Sequence, residues 1–93
     1  MAEIEVETSE HDESYQFQVT VREGRGETRH RVTLKKSDYG QLAGAKASPE
    51  ALVEESFRFL LEREPKESIL RSFDLTVIGR YFPEYRRDIA QRL

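Results

Sequence analysis

The 93 residues are 37% apolar and 35% charged, which suits one domain with one modest core. The absence of cysteine excludes disulfides, thiol catalysis, zinc fingers and iron–sulfur clusters, and no apolar run reaches the roughly 18 residues of a membrane helix. The net charge of −3 hides a segregation along the chain: residues 1–14 carry six acids and no Lys or Arg, whereas residues 15–36 carry six bases against two acids.

In Ala2 to Thr8, Ile4 and Val6 alternate with Glu3, Glu5 and Glu7, so residues 1–14 form either an acidic edge strand or an acidic tail. The leader MAEIEVETSEHDES has no apolar segment of the kind a secretion signal needs, and with the missing cysteine this points to the cytoplasm and away from a membrane partner. Ser9 to Ser14 has turn composition. Residues 15–36 read as a β-hairpin. Tyr15, Phe17, Val19 and Val21 alternate with Gln16, Gln18, Thr20 and Arg22, and Thr28, His30, Val32 and Leu34 alternate with Arg29, Arg31, Thr33 and Lys35. Between them, Glu23 to Glu27 predicts a loop longer than two residues, with glycines for positive φ. One face of the hairpin is apolar and the other basic. If the first segment pairs beside it, its glutamates share that basic face and neutralise part of it.

Residues 37–47 read as a short turn and linker, capped by Ser37 or Asp38 and closed by Gly44. Residues 48–93 are the helical part. Ser48 to Glu64 carries the clearest signal: a serine cap, Pro49 in the first turn, glutamates at the positive end, and a stripe of Leu52, Val53, Ser56, Phe57, Leu60 and Leu61. Phe59 widens the stripe and Pro65 ends the helix. Beyond it, Ile69, Phe73, Val77 and Tyr81 fall four apart, which fits one bent helix to Phe82. A break near Ser72 with Asp74 as a new cap fits as well, and Leu75 to Ile78 is also β-prone. Phe82-Pro83-Glu84 opens a last helix that buries Tyr85, Ile89 and Leu93 and exposes Arg86, Arg87, Asp88 and Arg92. The expected architecture is a single α+β domain: a two- or three-stranded antiparallel sheet packed on one face by about three helices.

Catalytic signals are absent. His30 sits in the apolar series of its strand and reads as a histidine at the core margin, while His11 lies in an acidic turn whose spacing matches no calcium loop. The GRG of the hairpin leads into a strand, not a helix that could hold a phosphate at its N-terminus. No cofactor or metal is therefore expected. Two surfaces suit binding. The first comprises Tyr81, Arg80, Arg86 and Arg87, because Tyr and Arg combine large contact area with directed polar groups. The second is the hairpin's basic face, with Arg22, Arg25, Arg29, Arg31 and Lys35, which could meet nucleic acid or an acidic partner, although no aromatic groups are interleaved with the bases.

The pattern SPEALVEESFRFLLEREP followed by SILRSFDLTVIGRYFPEY resembles a group of small bacterial proteins described as hypothetical. That resemblance implies a bacterial setting and no particular chemistry. The expected role is a non-enzymatic interaction or regulatory module that docks a protein or associates with itself. A nucleic-acid-binding regulator working through the basic face is the alternative.

Overall fold

The computed structural model describes residues 2–93. Three strands, β1 (Glu3–Glu10), β2 (Ser14–Glu23) and β3 (Gly26–Lys35), form an antiparallel meander, followed by helices α1 (Lys36–Leu42) and α2 (Pro49–Leu61). A three-residue strand β4 (Ser72–Asp74) and helices α3 (Ile78–Tyr81) and α4 (Tyr85–Arg92) complete the order. The α+β class is as expected, but the sheet is larger than two or three antiparallel strands. It has four strands in the order β1-β2-β3-β4, and β4 runs parallel to β3. A parallel neighbour needs a long crossover, and the α1–α2 segment supplies it.

The first segment is a strand and not a tail. Ile4 lies opposite Val21 and Val6 opposite Val19, which sets Glu3, Glu5 and Glu7 on the outer face. The hairpin turn is tighter than the glycine spacing suggests. Glu23 pairs with Gly26, leaving only Gly24 and Arg25 in the loop, and Gly24 takes φ 62. Positive φ at the first central position alone is the type II′ pattern, whose twist matches the flanking strands.

Helix α2 begins as its residues dictate, with the Ser48 hydroxyl accepting from the Ala51 amide at 3.1 Å and Pro49 in the first turn. It stops at Leu61, because Pro65 holds its predecessor extended. Helix α1 starts two or three residues earlier than expected. Neither Ser37 nor Asp38 caps it; Lys35 holds the cap position without a side-chain bond, and Asp38 instead lies in the first turn. Gly44, at φ 56, closes its far end.

The largest departure lies between Pro65 and Pro83, where there is no long helix. A single 3₁₀ turn (Lys66–Ser68) leads to β4, a second turn (Leu75–Val77) follows, and α3 is one turn long. Asp74 does act as a cap: its carboxylate accepts from the Thr76 amide at 3.0 Å and the Thr76 hydroxyl at 2.6 Å. The strand sits before that cap and not at Leu75 to Ile78. Helix α4 begins at Tyr85, so Phe82 to Glu84 form the turn into it.

The inner face of the sheet contributes Phe17, Val19, Val21, Val32 and Leu34 to the core, and α2 contributes Leu52, Val53, Phe57, Phe59 and Leu60. Each such side chain contributes about 1.5–3 kcal/mol when fully buried. Leu75, Ile78, Tyr85 and Ile89 belong to the same core. The C-terminal helix is fastened by Arg63, whose guanidinium lies 3.6 Å from the Phe59 ring centre and reaches Glu84 at 3.2 Å and Asp88 at 3.1 Å. Asp88 and Arg92 are thus not free in solvent: Arg92 grips Glu62 through both terminal nitrogens, at 2.9 and 2.6 Å.

Candidate functional site

The irregular segment after Pro65 creates the most distinctive surface. Ile69 turns inward and is buried, so its neighbour Leu70 faces out, half exposed at 48%. Ser72 to Asp74 then adds to the sheet in register with Arg31 to Thr33, which directs Phe73 to the inner side with Val32. The second 3₁₀ turn and α3 bring Val77, Ile78 and Tyr81 around to face Leu70. Together with Leu60 and Phe82 these side chains line a groove of about 370 Å³, with Glu64 and Ser68 as its polar members. Tyr81 stands at the rim, 68% exposed. Leu70 and Tyr81 are the exposed large apolar side chains among the described residues, and both line this groove.

The four C-terminal residues singled out in the sequence do not form one surface. Tyr81 belongs to the groove, whereas Arg80 and Arg86 line a separate polar cleft with Asp38 and Thr76. Arg87 is exposed on α4 and lines neither.

The basic face is likewise divided. Arg22 bonds Glu5 and lies 3.0 Å from Glu27 and 3.7 Å from Glu3; these bonds raise its pKa, with Glu5 the largest cause. Arg29 reaches Glu27 at 3.1 Å, and the bonds to Arg29 and Arg22 hold that carboxyl below its ordinary range. Lys36 pairs with Glu10 at 2.7 Å. Arg25 projects at the tip of the turn, and Arg31 and Lys35 are exposed with no carboxylate within 4.0 Å among the described residues.

No protein-family model, curated protein or solved structure matches this chain.

His30 is a core residue. Its Nδ1 lies 2.7 Å from the Leu70 carbonyl, which can only accept, so Nδ1 carries the proton and Nε2 accepts from the Thr28 hydroxyl at 2.9 Å. Both nitrogens are occupied, the ring packs 5.3 Å from that of Phe57, and burial pushes its pKa down. A histidine so held positions the chain at Leu70. It has no nitrogen left for a substrate. Among the described residues no three His, Asp or Glu side chains converge to hold a metal ion, and no helix is long and apolar enough to cross a membrane.

Two features escaped the sequence. Phe73 falls on the four-residue stripe that starts at Ile69, with Leu70 next to that start, and only the strand geometry of Ser72–Asp74 separates the two into wall and rim. Arg71 carried no signal at all, yet it stands beside Arg29 and Arg31 in the folded chain.

Proposed function

We propose that the chain is a non-enzymatic protein-interaction module whose docking surface is the Leu70–Tyr81 groove. The observation that carries this reading is the convergence of Leu70 and Tyr81, the exposed large apolar side chains among the described residues, on one concave surface. Exposed apolar groups scattered singly need no explanation, whereas a clustered pair over a groove does. The occupant is a protein segment offering one or two apolar side chains to Phe73, Val77 and Phe82, with a Lys or Arg placed to meet Glu64. Tyr81 supplies large contact area at small entropic cost. A bacterial, cytoplasmic setting belongs to the same proposal. The nucleic-acid reading is weaker because Glu3, Glu5 and Glu27 engage Arg22 and Arg29 on the face it needs.

The test is a photocrosslinking residue placed at position 81 and, as a control, at position 87 on α4 outside the groove. A discrete adduct at 81, absent at 87 and abolished by Leu70→Asp, is the expected result. Its mass distinguishes a second copy of this chain from a different protein. Equal labelling at both positions, or an adduct indifferent to Leu70→Asp, removes the groove from consideration.

A further inference from the structure

The groove does not use the other unusual surface, a notch at the edge of the sheet where β4 begins. We infer that this notch binds a phosphate group. Arg29, Arg31 and Arg71 line a recess of about 230 Å³ together with Gln18 and Ser72. Every one of those side chains offers N–H or O–H donors. The carboxylate bonded to this cluster, Glu27, is shared between Arg29 and Arg22, at 3.1 and 3.0 Å, while Glu7 lines a neighbouring recess with Gln18 and Arg31 and forms no ion pair with Arg31 within 4.0 Å. Arg31 and Arg71 have no carboxylate within 4.0 Å among the described residues, in a molecule whose net charge is negative. Three guanidinium groups gathered with one half-share of an anion repel one another, and a bound dianion removes that cost.

The backbone adds a donor. The Arg31 amide bonds the Arg71 carbonyl at 2.7 Å, so it points toward the β4 side of β3. Alternate residues of a strand direct their amides to the same side, so the Arg29 amide also faces β4's side. However, β4 pairs only from Arg31 onward, which leaves the Arg29 position beyond the end of its neighbour. His30 beneath the notch is bonded at both ring nitrogens and adds no acceptor to its surface.

A phosphate suits this arrangement better than a carboxylate does. Guanidinium forks arriving from two positions on β3 and from the loop before β4 approach from different directions, and a tetrahedral group with three or four oxygens can receive them all, whereas a carboxylate offers only two oxygens in one plane. The phosphate can be free or carried on a small phosphorylated molecule.

Amide and arginine Nε–Hε signals of the full chain, followed by NMR, test the assignment. Inorganic phosphate is titrated against sodium chloride of equal ionic strength, with glycerol 2-phosphate as a second arm. The expected result is a saturable shift of the Arg29 amide and of the Arg29, Arg31 and Arg71 Nε–Hε groups with phosphate and not with chloride. Arg31→Gln and Arg71→Gln should each weaken it at least tenfold; both side chains are exposed, so the fold is unaffected. Tighter binding of the monoester assigns the site to a phosphorylated metabolite, and equal or weaker binding assigns it to the free anion. Shifts that chloride reproduces, that fail to saturate, or that survive Arg71→Gln overturn the site. Oligonucleotide binding that depends equally on Arg25 and Lys35, with no saturation by phosphate, replaces it with an extended nucleic-acid face.

Discussion

At the scale of single residues, a buried pair of hydroxyls ties the C-terminal helix to α2. Ser56 donates to the Leu52 carbonyl at 2.7 Å, so its oxygen is left to accept from the Tyr85 hydroxyl at 2.6 Å. Burial raises the Tyr85 pKa to about 12, which keeps that proton in place at all ordinary pH values. Ser56→Ala strands the tyrosine hydroxyl in the core and should cost about 1–3 kcal/mol. Tyr85→Phe, which leaves an acceptor that already donates elsewhere, should cost less. The double variant should be more stable than the sum of the two losses implies, and chemical denaturation of all four proteins reads that coupling directly. A strictly additive double variant would mean that the two hydroxyls do not bond. His30 sets a second expectation. Its folded pKa lies below the ordinary 6.5, chiefly through burial and also through the Arg71 charge, against the opposing bond to Leu70. Below that ordinary value the unfolded chain takes up a proton that the folded chain refuses, so stability is full above it and declines as pH falls toward the folded pKa. Denaturation midpoints between about pH 7 and pH 5 should fall in the native chain and stay flatter in His30→Phe. The paired carboxylates Glu27, Glu62 and Glu84, depressed from 4.5, lose their contribution only at lower pH.

Among the elements, β4 is the piece that positions both candidate surfaces, and Asp74 holds its end. That carboxylate accepts from the Thr76 amide and hydroxyl and from the Thr33 hydroxyl at 3.1 Å, joining cap, turn and neighbouring strand. Asp74→Ala should destabilise by about 1–2 kcal/mol. More specifically, it should raise hydrogen exchange at Ser72 to Val77 and at the Arg31 amide while leaving β1 and β2 protected. Uniformly faster exchange across the whole sheet would show that β4 is not a separate unit. The strands before this point were legible because period-two alternation survives in β1, β2 and β3, and α2 was legible because its cap, proline and stripe agree. The segment from Ile69 to Tyr81 was not, since its four-residue spacing imitates a helix face. What overrides that spacing is partly local, in the Asp74 bonds and the β-branched Thr76, Val77 and Ile78. The larger part is non-local. The open flank of β3 offers unpaired backbone groups near Arg31 and Thr33, and no reading of residues 66–82 alone contains that strand. The same limit explains the sites: Tyr81 could be picked out by type, whereas Leu70 became a rim residue and Arg71 joined a basic notch only when β4 docked.

For the molecule as a whole, charge is laid out across the sheet, with acids on β1, bases on β3 and Arg71 just before β4. This bears on self-association, because β1 is an eight-residue edge strand with no strand beside its outer flank among the described residues. In a two-fold antiparallel pairing of two such edges, residues that face each other share a side of the sheet. A register centred on Val6 sets Glu5 against Glu7 of the second copy twice over, and registers centred on Glu5 or Glu7 set each against itself. Like charges directly opposite oppose pairing by a few tenths to about 1 kcal/mol each, so these central registers are disfavoured while the outward backbone groups of β1 have no strand partner among the described residues. Glu7→Lys turns the Val6-centred register into two Glu–Lys pairs and removes both repulsions. Sedimentation velocity at low salt should then show a concentration-dependent dimer that is absent from the native chain at the same concentration and that weakens as salt is added. A native dimer abolished by Leu70→Asp but unchanged by Glu7→Lys would assign self-association to the groove instead. A native dimer lost on Glu7→Lys would mean that the edge pairs in a register where that glutamate is favourable, against the charge argument. The acidic strand therefore has two effects of one origin: its glutamates pair with Arg22 within the molecule, and in the central registers they would oppose one another between molecules.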